Sequence, residues 1–184
     1  MMWELFLIGS YAFLGGGIKY IDQVFDEEIF NKYCAYTLAV MCGGLMGYLV
    51  AIDNISATIF LSLILSLGIM RKIDNMAFYI GAIMVVLVPM AITHTIMSII
   101  WTALGLLILA SIADEGINEI IDRRQMVDGL FVKIAYYRPI MKLIVIALVI
   151  GGWFPLLYAI AFFAFDISYS MIEQYSFWIR RRVK

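Results

Sequence analysis

Long apolar runs at 2–18, 30–70, 76–113 and 139–178 carry few charges, and most ionisable residues are confined to the short segments between them. A hydrocarbon layer roughly 30 Å thick is crossed by about 20 helical residues, so the second, third and fourth runs are each about two crossings long. Backbone polar groups in such surroundings must be satisfied within the segment, which selects helices over open sheets. With 64% apolar and only 15% charged residues, the composition departs far from the roughly half-apolar, quarter-charged balance of a water-soluble domain. The chain therefore reads as one all-α transmembrane domain over 1–184, a polytopic integral membrane helix bundle of about seven transmembrane helices.

Turn signals divide the runs. Gly43-Gly44 with Gly47 supply the one plausible turn inside 30–70, giving spans 2 and 3. Pro89 and Thr93-His94-Thr95 sit near the middle of 76–113, giving spans 4 and 5. Gly151-Gly152-Trp153-Phe154-Pro155 ends span 6 and starts span 7 at a proline. Met1-Met2-Trp3-Glu4 lacks the basic start and cleavage site of a signal peptide, so 2–18 is expected to be retained as span 1. Cys34 and Cys42 lie in one apolar stretch and suggest neither a disulfide framework nor a zinc site.

Seven spans put every Lys and Arg on one side, from Lys19 and Lys32 through Arg71, Lys72, Arg123, Arg124, Lys133, Arg138 and Lys142 to Arg180-Arg181-Arg182 and Lys184. Basic residues collect in cytoplasmic loops, so the expected orientation is N-terminus outside and C-terminus cytoplasmic, in the cell membrane. Six spans would throw the C-terminal arginines to the opposite face. The outer side keeps almost no loop. No P-loop, nucleophile elbow, zinc-binding histidine pair or dinucleotide fingerprint occurs, and no nucleic-acid surface is implied.

The acidic clusters fall on the same side as the cations. Asp22 and Asp26 are four apart, hence on one helix face, and Asp114, Asn118 and Asp122 form a second stripe at i, i+4, i+8. Like charges at that spacing repel unless something compensates, and Mg²⁺, which prefers oxygen ligands and is commonly held by one or two carboxylates plus substrate phosphates, is one such partner. The bland alternative is a set of solvated carboxylates paired with Lys19, Arg123 and Arg124. Asp74 is expected to pair with Arg71 or Lys72. Lys19, Arg71, Lys72, Arg123, Arg124, Lys133 and Arg138 are candidate phosphate partners, each also explicable as a topology or headgroup anchor.

The two stripes, Asp22-x-x-x-Asp26 and Asp114-x-x-x-Asn118-x-x-x-Asp122, four spans apart, resemble the aspartate-rich motifs of UbiA-type membrane prenyltransferases. The resemblance implies an all-helical bundle in which Asp22, Asp26, Asp114, Asn118 and Asp122 hold Mg²⁺ against the diphosphate of an isoprenoid donor, with the aspartates catalytic. This chain has Ile18-Lys19 where that family carries an Asn-Asp pair, and Asn118 where it usually carries Asp. Two further chemistries use the same residues. Lipid-phosphate transfer or hydrolysis would attack phosphorus instead of carbon. A small-cation or proton-coupled transporter would run through Asp166 and Asp53, two carboxylates set inside spans.

Asp166, flanked by Phe162, Phe163 and Phe165 and followed by Ser168, Tyr169 and Ser170, is expected to face a cavity or an acceptor molecule. Asp53 is expected to bond a hydroxyl on a neighbouring helix. His94 reads as interfacial, and Tyr136-Tyr137-Arg138 as part of an interfacial belt where span 6 begins.

Overall fold

The computed structural model describes residues 1–27, 29–73, 75–92, 98–123 and 137–183, with the side chains of Asp122 and Val183 excepted. Seven helices and no strand occur among them: α1 (Met2–Glu27), α2 (Lys32–Ile52), α3 (Asn54–Ile69), α4 (Met76–Ile92), α5 (Trp101–Arg123), α6 (Pro139–Ile150) and α7 (Leu156–Val183). The chain is all-α over this extent. Glu28, Asp74, His94, Arg124, Lys133, Tyr136 and Lys184 lie outside the described residues.

The break inside 30–70 is not where the glycines suggest. α2 runs uninterrupted through Gly43, Gly44 and Gly47, and the chain turns at Asp53. Asp53 ends α2 in an extended conformation, and its Oδ2 accepts the Ser56 backbone N–H at 2.7 Å, capping α3. That bond satisfies one of the N–H groups a helix start leaves open. The glycines serve packing instead. A Cβ on Gly43 would fall 2.6 Å from the Gly81 carbonyl oxygen, and one on Gly47 2.9 Å from the Met84 carbonyl oxygen, so α4 approaches α2 at nearly backbone contact. A missing Cβ permits a turn or a close helix approach, and at Gly43 and Gly47 the packing of α4 takes up the approach. The turn at 151–155 lies where the sequence puts it: Gly152 has φ +73° just after α6, and Trp153 N–H bonds back to the Leu148 carbonyl.

Contacts fix the directions. α1 and α7 run side by side in parallel, with Gly15 against the Phe165 backbone, Gly16 against Ser168 and Glu27 against Arg180. α2 crosses antiparallel to α1, pairing Phe6 with Tyr48 and Phe25 with Tyr36. α3 and α5 are parallel, joined by Thr58 to the Ile100 N–H at one end and Ser66 to Ser111 at the other. Odd-numbered α1, α3, α5 and α7 thus end together. The core between them holds Leu7, Tyr11, Leu14, Leu49, Phe60, Leu107 and Val145, with the Tyr11 and Phe60 rings 4.6 Å apart.

Apolar side chains also cover the outside. Met90, Leu109, Leu143 and Ile150 are all more than 60% exposed, and in α4 only Ala77, Val85 and Pro89 are buried. Two helices, Lys32–Ile52 and Leu156–Arg182, are long and apolar enough to cross a membrane, while α3, α4 and α6 are apolar but shorter.

Candidate functional site

Because α1, α3, α5 and α7 end at the same side of the bundle, the polar residues beyond their apolar portions meet there. They line a cavity of about 410 Å³ whose walls come from every helix except α6 and from the segments 70–73 and 137–138. One part of the wall is apolar, with Cys42 and Met46 of α2, Leu63 of α3 and Val85 of α4. The other part is charged. Asp22 and Asp26 of α1, Glu115 of α5 and Asp166 and Glu173 of α7 face the same space as Lys19, Lys72 and Arg138. Five carboxylates outnumber three cations, so the lining favours a cation, or an anion that arrives with one.

Shared partners knit the charged wall together. Lys19, only 7% exposed, holds Asp22 Oδ2 at 2.7 Å and Glu173 Oε1 at 3.1 Å, and its ammonium lies 5.0 Å from the Tyr169 ring centroid. Burial alone would lower the Lys19 pKa, but Tyr169, Asp22 and Glu173 outweigh it and hold the ammonium above the ordinary lysine range. The Arg138 guanidinium sits 5.5 Å from the same ring and reaches Glu115 Oε2 at 3.1 Å. Glu115 Oε1 in turn holds Lys72 at 3.0 Å, which raises the Lys72 pKa. One continuous chain of contacts therefore runs from Asp22 through Lys19, Tyr169, Arg138 and Glu115 to Lys72. At a third corner Asp166 pairs with Lys142 at 2.8 Å, and the same ammonium donates to the Tyr137 carbonyl.

The sequence-expected residues divide into three groups. Lys19, Asp22, Asp26, Lys72, Asn118, Arg138 and Asp166 line the cavity. Asp114, Arg71 and Arg123 do not. Asp114, 2% exposed, accepts the backbone N–H groups of Ile140 at 3.0 Å and Met141 at 2.8 Å, so it caps α6 from a neighbouring helix. Burial pushes its carboxyl pKa up, against the pull of those two N–H groups. Arg71 is exposed in the turn after α3 with φ 54°, and Arg123 pairs with Glu119 at 2.6 Å one helical turn away. Asp122 belongs to α5, but its side chain, like all of Arg124 and Lys133, lies outside the described residues.

Glu115, Tyr169 and Glu173 were missed, and each had a signal. Glu115 and Asn118 are three apart and share the cavity, so the inward stripe is rotated by one residue from the one beginning at Asp114. Asp166, Tyr169, Ser170 and Glu173 follow i, i+3, i+4, i+7, one helical face. Asp53, at the opposite end, accepts the Tyr158 hydroxyl at 2.6 Å, the interhelical bond expected of it.

No family model, curated protein or solved structure matches this chain. The chemistry of the cavity rests on its own residues. Asn118 Oδ1 is a buried acceptor without a hydrogen-bond partner, the kind of oxygen a hard cation satisfies. Among the described residues no three His, Cys, Asp or Glu side chains form a metal cage. Asp22 and Asp26 border the same cavity as Asn118, so these are the side-chain oxygens a Mg²⁺ would draw on, with water and a phosphate ligand supplying the rest.

Proposed function

We propose that the chain is a polytopic membrane protein, N-terminus outside and C-terminus cytoplasmic, whose inner-end cavity binds a lipid diphosphate with Mg²⁺ and transfers its prenyl group to an acceptor. The carrying observation is that Asp22 and Asp26 of α1 and Glu115 and Asn118 of α5 border one cavity that also has an apolar wall. An amphipathic substrate needs both surfaces at one depth. The exposed apolar perimeter supports placement in a bilayer, since uncovered patches of that extent are rare on soluble monomers. The resemblance to UbiA-type prenyltransferases supplies the reaction class.

In this reading Mg²⁺, when bound, offsets the charge of the departing diphosphate. Lys72 and Arg138 take phosphate oxygens in exchange for Glu115, the arginine in bidentate fashion. Lys19 keeps Asp22 oriented through its contact to Oδ2. Cys42, Met46, Leu63 and Val85 accept the hydrocarbon portion and keep water from it.

The test is diphosphate release from a long-chain allylic diphosphate by purified protein in lipid, with and without Mg²⁺. Release that requires the metal and falls at least about 100-fold in Asp22→Asn and Asp26→Asn is the expected result. If no acceptor-independent release occurs, Mg²⁺-dependent binding of the same diphosphate is measured; its absence overturns the proposal. Release of inorganic phosphate instead would assign lipid-phosphate chemistry. The transport alternative is favoured if Asp166→Asn abolishes cation flux in vesicles while Asp26→Asn only weakens it.

A further inference from the structure

The last turns of α7 extend past the cavity and carry an aromatic stack that the reading above leaves unused. The Tyr20 and Phe30 rings lie 4.5 Å apart at 16°, Phe30 and Tyr175 6.1 Å apart at 13°, and Tyr175 and Trp178 6.0 Å apart at 18°. Arg182 closes the stack, its guanidinium 3.8 Å above the Trp178 ring. Tyr175, Phe177 and Trp178 are each about half exposed. No acidic residue follows Glu173, whereas Arg180, Arg181, Arg182 and Lys184 do. Arg180 is engaged inward: it pairs with Glu27 and lies over Phe177, docking the arm on α1. Arg181 and Arg182 are exposed.

We infer that this ledge binds the headgroup of an anionic phospholipid. Half-exposed, near-parallel rings suit the headgroup layer, where an aromatic body meets the apolar side and its polar edge meets water. Arg181 and Arg182 supply forked donors for phosphate oxygens, and basic clusters next to a crossing helix attract anionic lipid. The surplus of positive charge after Glu173 makes the ledge complementary to such a leaflet, and the stack on Trp178 holds Arg182 in place beforehand, so less side-chain freedom is lost on binding. This inference rests on the membrane placement proposed above and not on the diphosphate chemistry.

The experiment incorporates the full chain into vesicles of equal phosphatidylcholine and phosphatidylglycerol, extracts it gently and counts retained lipids by native mass spectrometry. Preferential retention of phosphatidylglycerol, weakened roughly tenfold in Arg181→Gln/Arg182→Gln and unchanged in Asp22→Asn, is expected. Arg181→Lys/Arg182→Lys, which keeps charge but loses the fork, is expected to fall between. Equal retention in the glutamine variant, or no preference for the anionic lipid, overturns the inference. Displacement by inorganic phosphate would also overturn it, assigning a free-anion site instead. A separate carbonate wash of the vesicles isolates the underlying assumption: protein released to the aqueous phase refutes membrane placement itself.

Discussion

The two ends of the bundle use the same residue type in opposite ways. At the end where α2 turns into α3, Asp53 divides its oxygens between the Ser56 N–H and the Tyr158 hydroxyl, and the nearby Tyr11 hydroxyl donates to Ser56, a closed set of neutral partners. At the cavity end Asp22 and Asp166 face lysine ammonium groups on the cavity wall. A carboxylate consumed by peptide N–H groups fixes architecture, because nothing that arrives can replace those donors without unravelling a helix. One matched to a mobile side-chain cation can exchange partners. Asp114 is the instructive intermediate: it sits at the cavity end, one residue from Glu115, yet behaves like Asp53, capping α6 with both oxygens.

Substitutions can break that contrast. The largest effect is expected from Asp22→Asn, with loss of Mg²⁺-dependent diphosphate release by two orders of magnitude or more and a smaller fall in the thermal midpoint than Asp114→Ala gives, since Glu173 still holds the buried Lys19, read by activity and melting on one preparation. Asp114→Ala should do the reverse, costing about 2–3 kcal/mol of stability by leaving two buried N–H groups without an acceptor, while the activity of the folded fraction persists. If Asp114→Ala instead removes activity without lowering stability, the division between cap and site fails. Asp53→Ala should destabilise by about 2 kcal/mol through the lost α3 cap and the stranded Tyr158 hydroxyl, and Tyr158→Phe by about 1 kcal/mol, both in chemical denaturation. The smallest effect concerns the Lys72–Glu115 pair. Because Glu115 raises the folded Lys72 pKa, the stabilisation is fully present below the unfolded lysine value of about 10.4 and is lost as pH rises through the folded one. Melting between pH 9 and 12 should show a small decline that Lys72→Gln lacks.

Much of this arrangement was legible in the sequence, and the failures have physical causes. Helical composition and the turn at 151–155 follow from apolar run length and turn chemistry, whereas the shared cavity of Asp22 and Asn118 does not, because run length and parity put both at one end without saying which helices are neighbours. The turn at Asp53 was hidden because a lone Asp in an apolar run reads as a buried charge, whereas its capping role depends on one backbone dihedral. Gly43 and Gly47 misled because the same missing Cβ serves a turn or a close helix neighbour, and only α4 decides which. Stripes on α5 were ambiguous by one residue, since i+3 and i+4 neighbours both lie near one face. The sequence could not say whether Asp114 or Glu115 points inward, because the N-terminus of α6 that claims Asp114 lies 26 residues further on.

The backbone contact at Gly15 has a consequence in time. It joins α1 to α7, whose touching residues are roughly 150 positions apart, so the chain must close a very long loop before that interface exists. During synthesis α1 emerges first and waits, its glycine face uncovered, until α7 has been made. Lys19 and Asp22 stand on one side of that interface and Tyr169 and Glu173 on the other. The charged wall is therefore completed only after α7 has been made, and a chain stopped before α7 would hold most of the described helices but only part of the cavity.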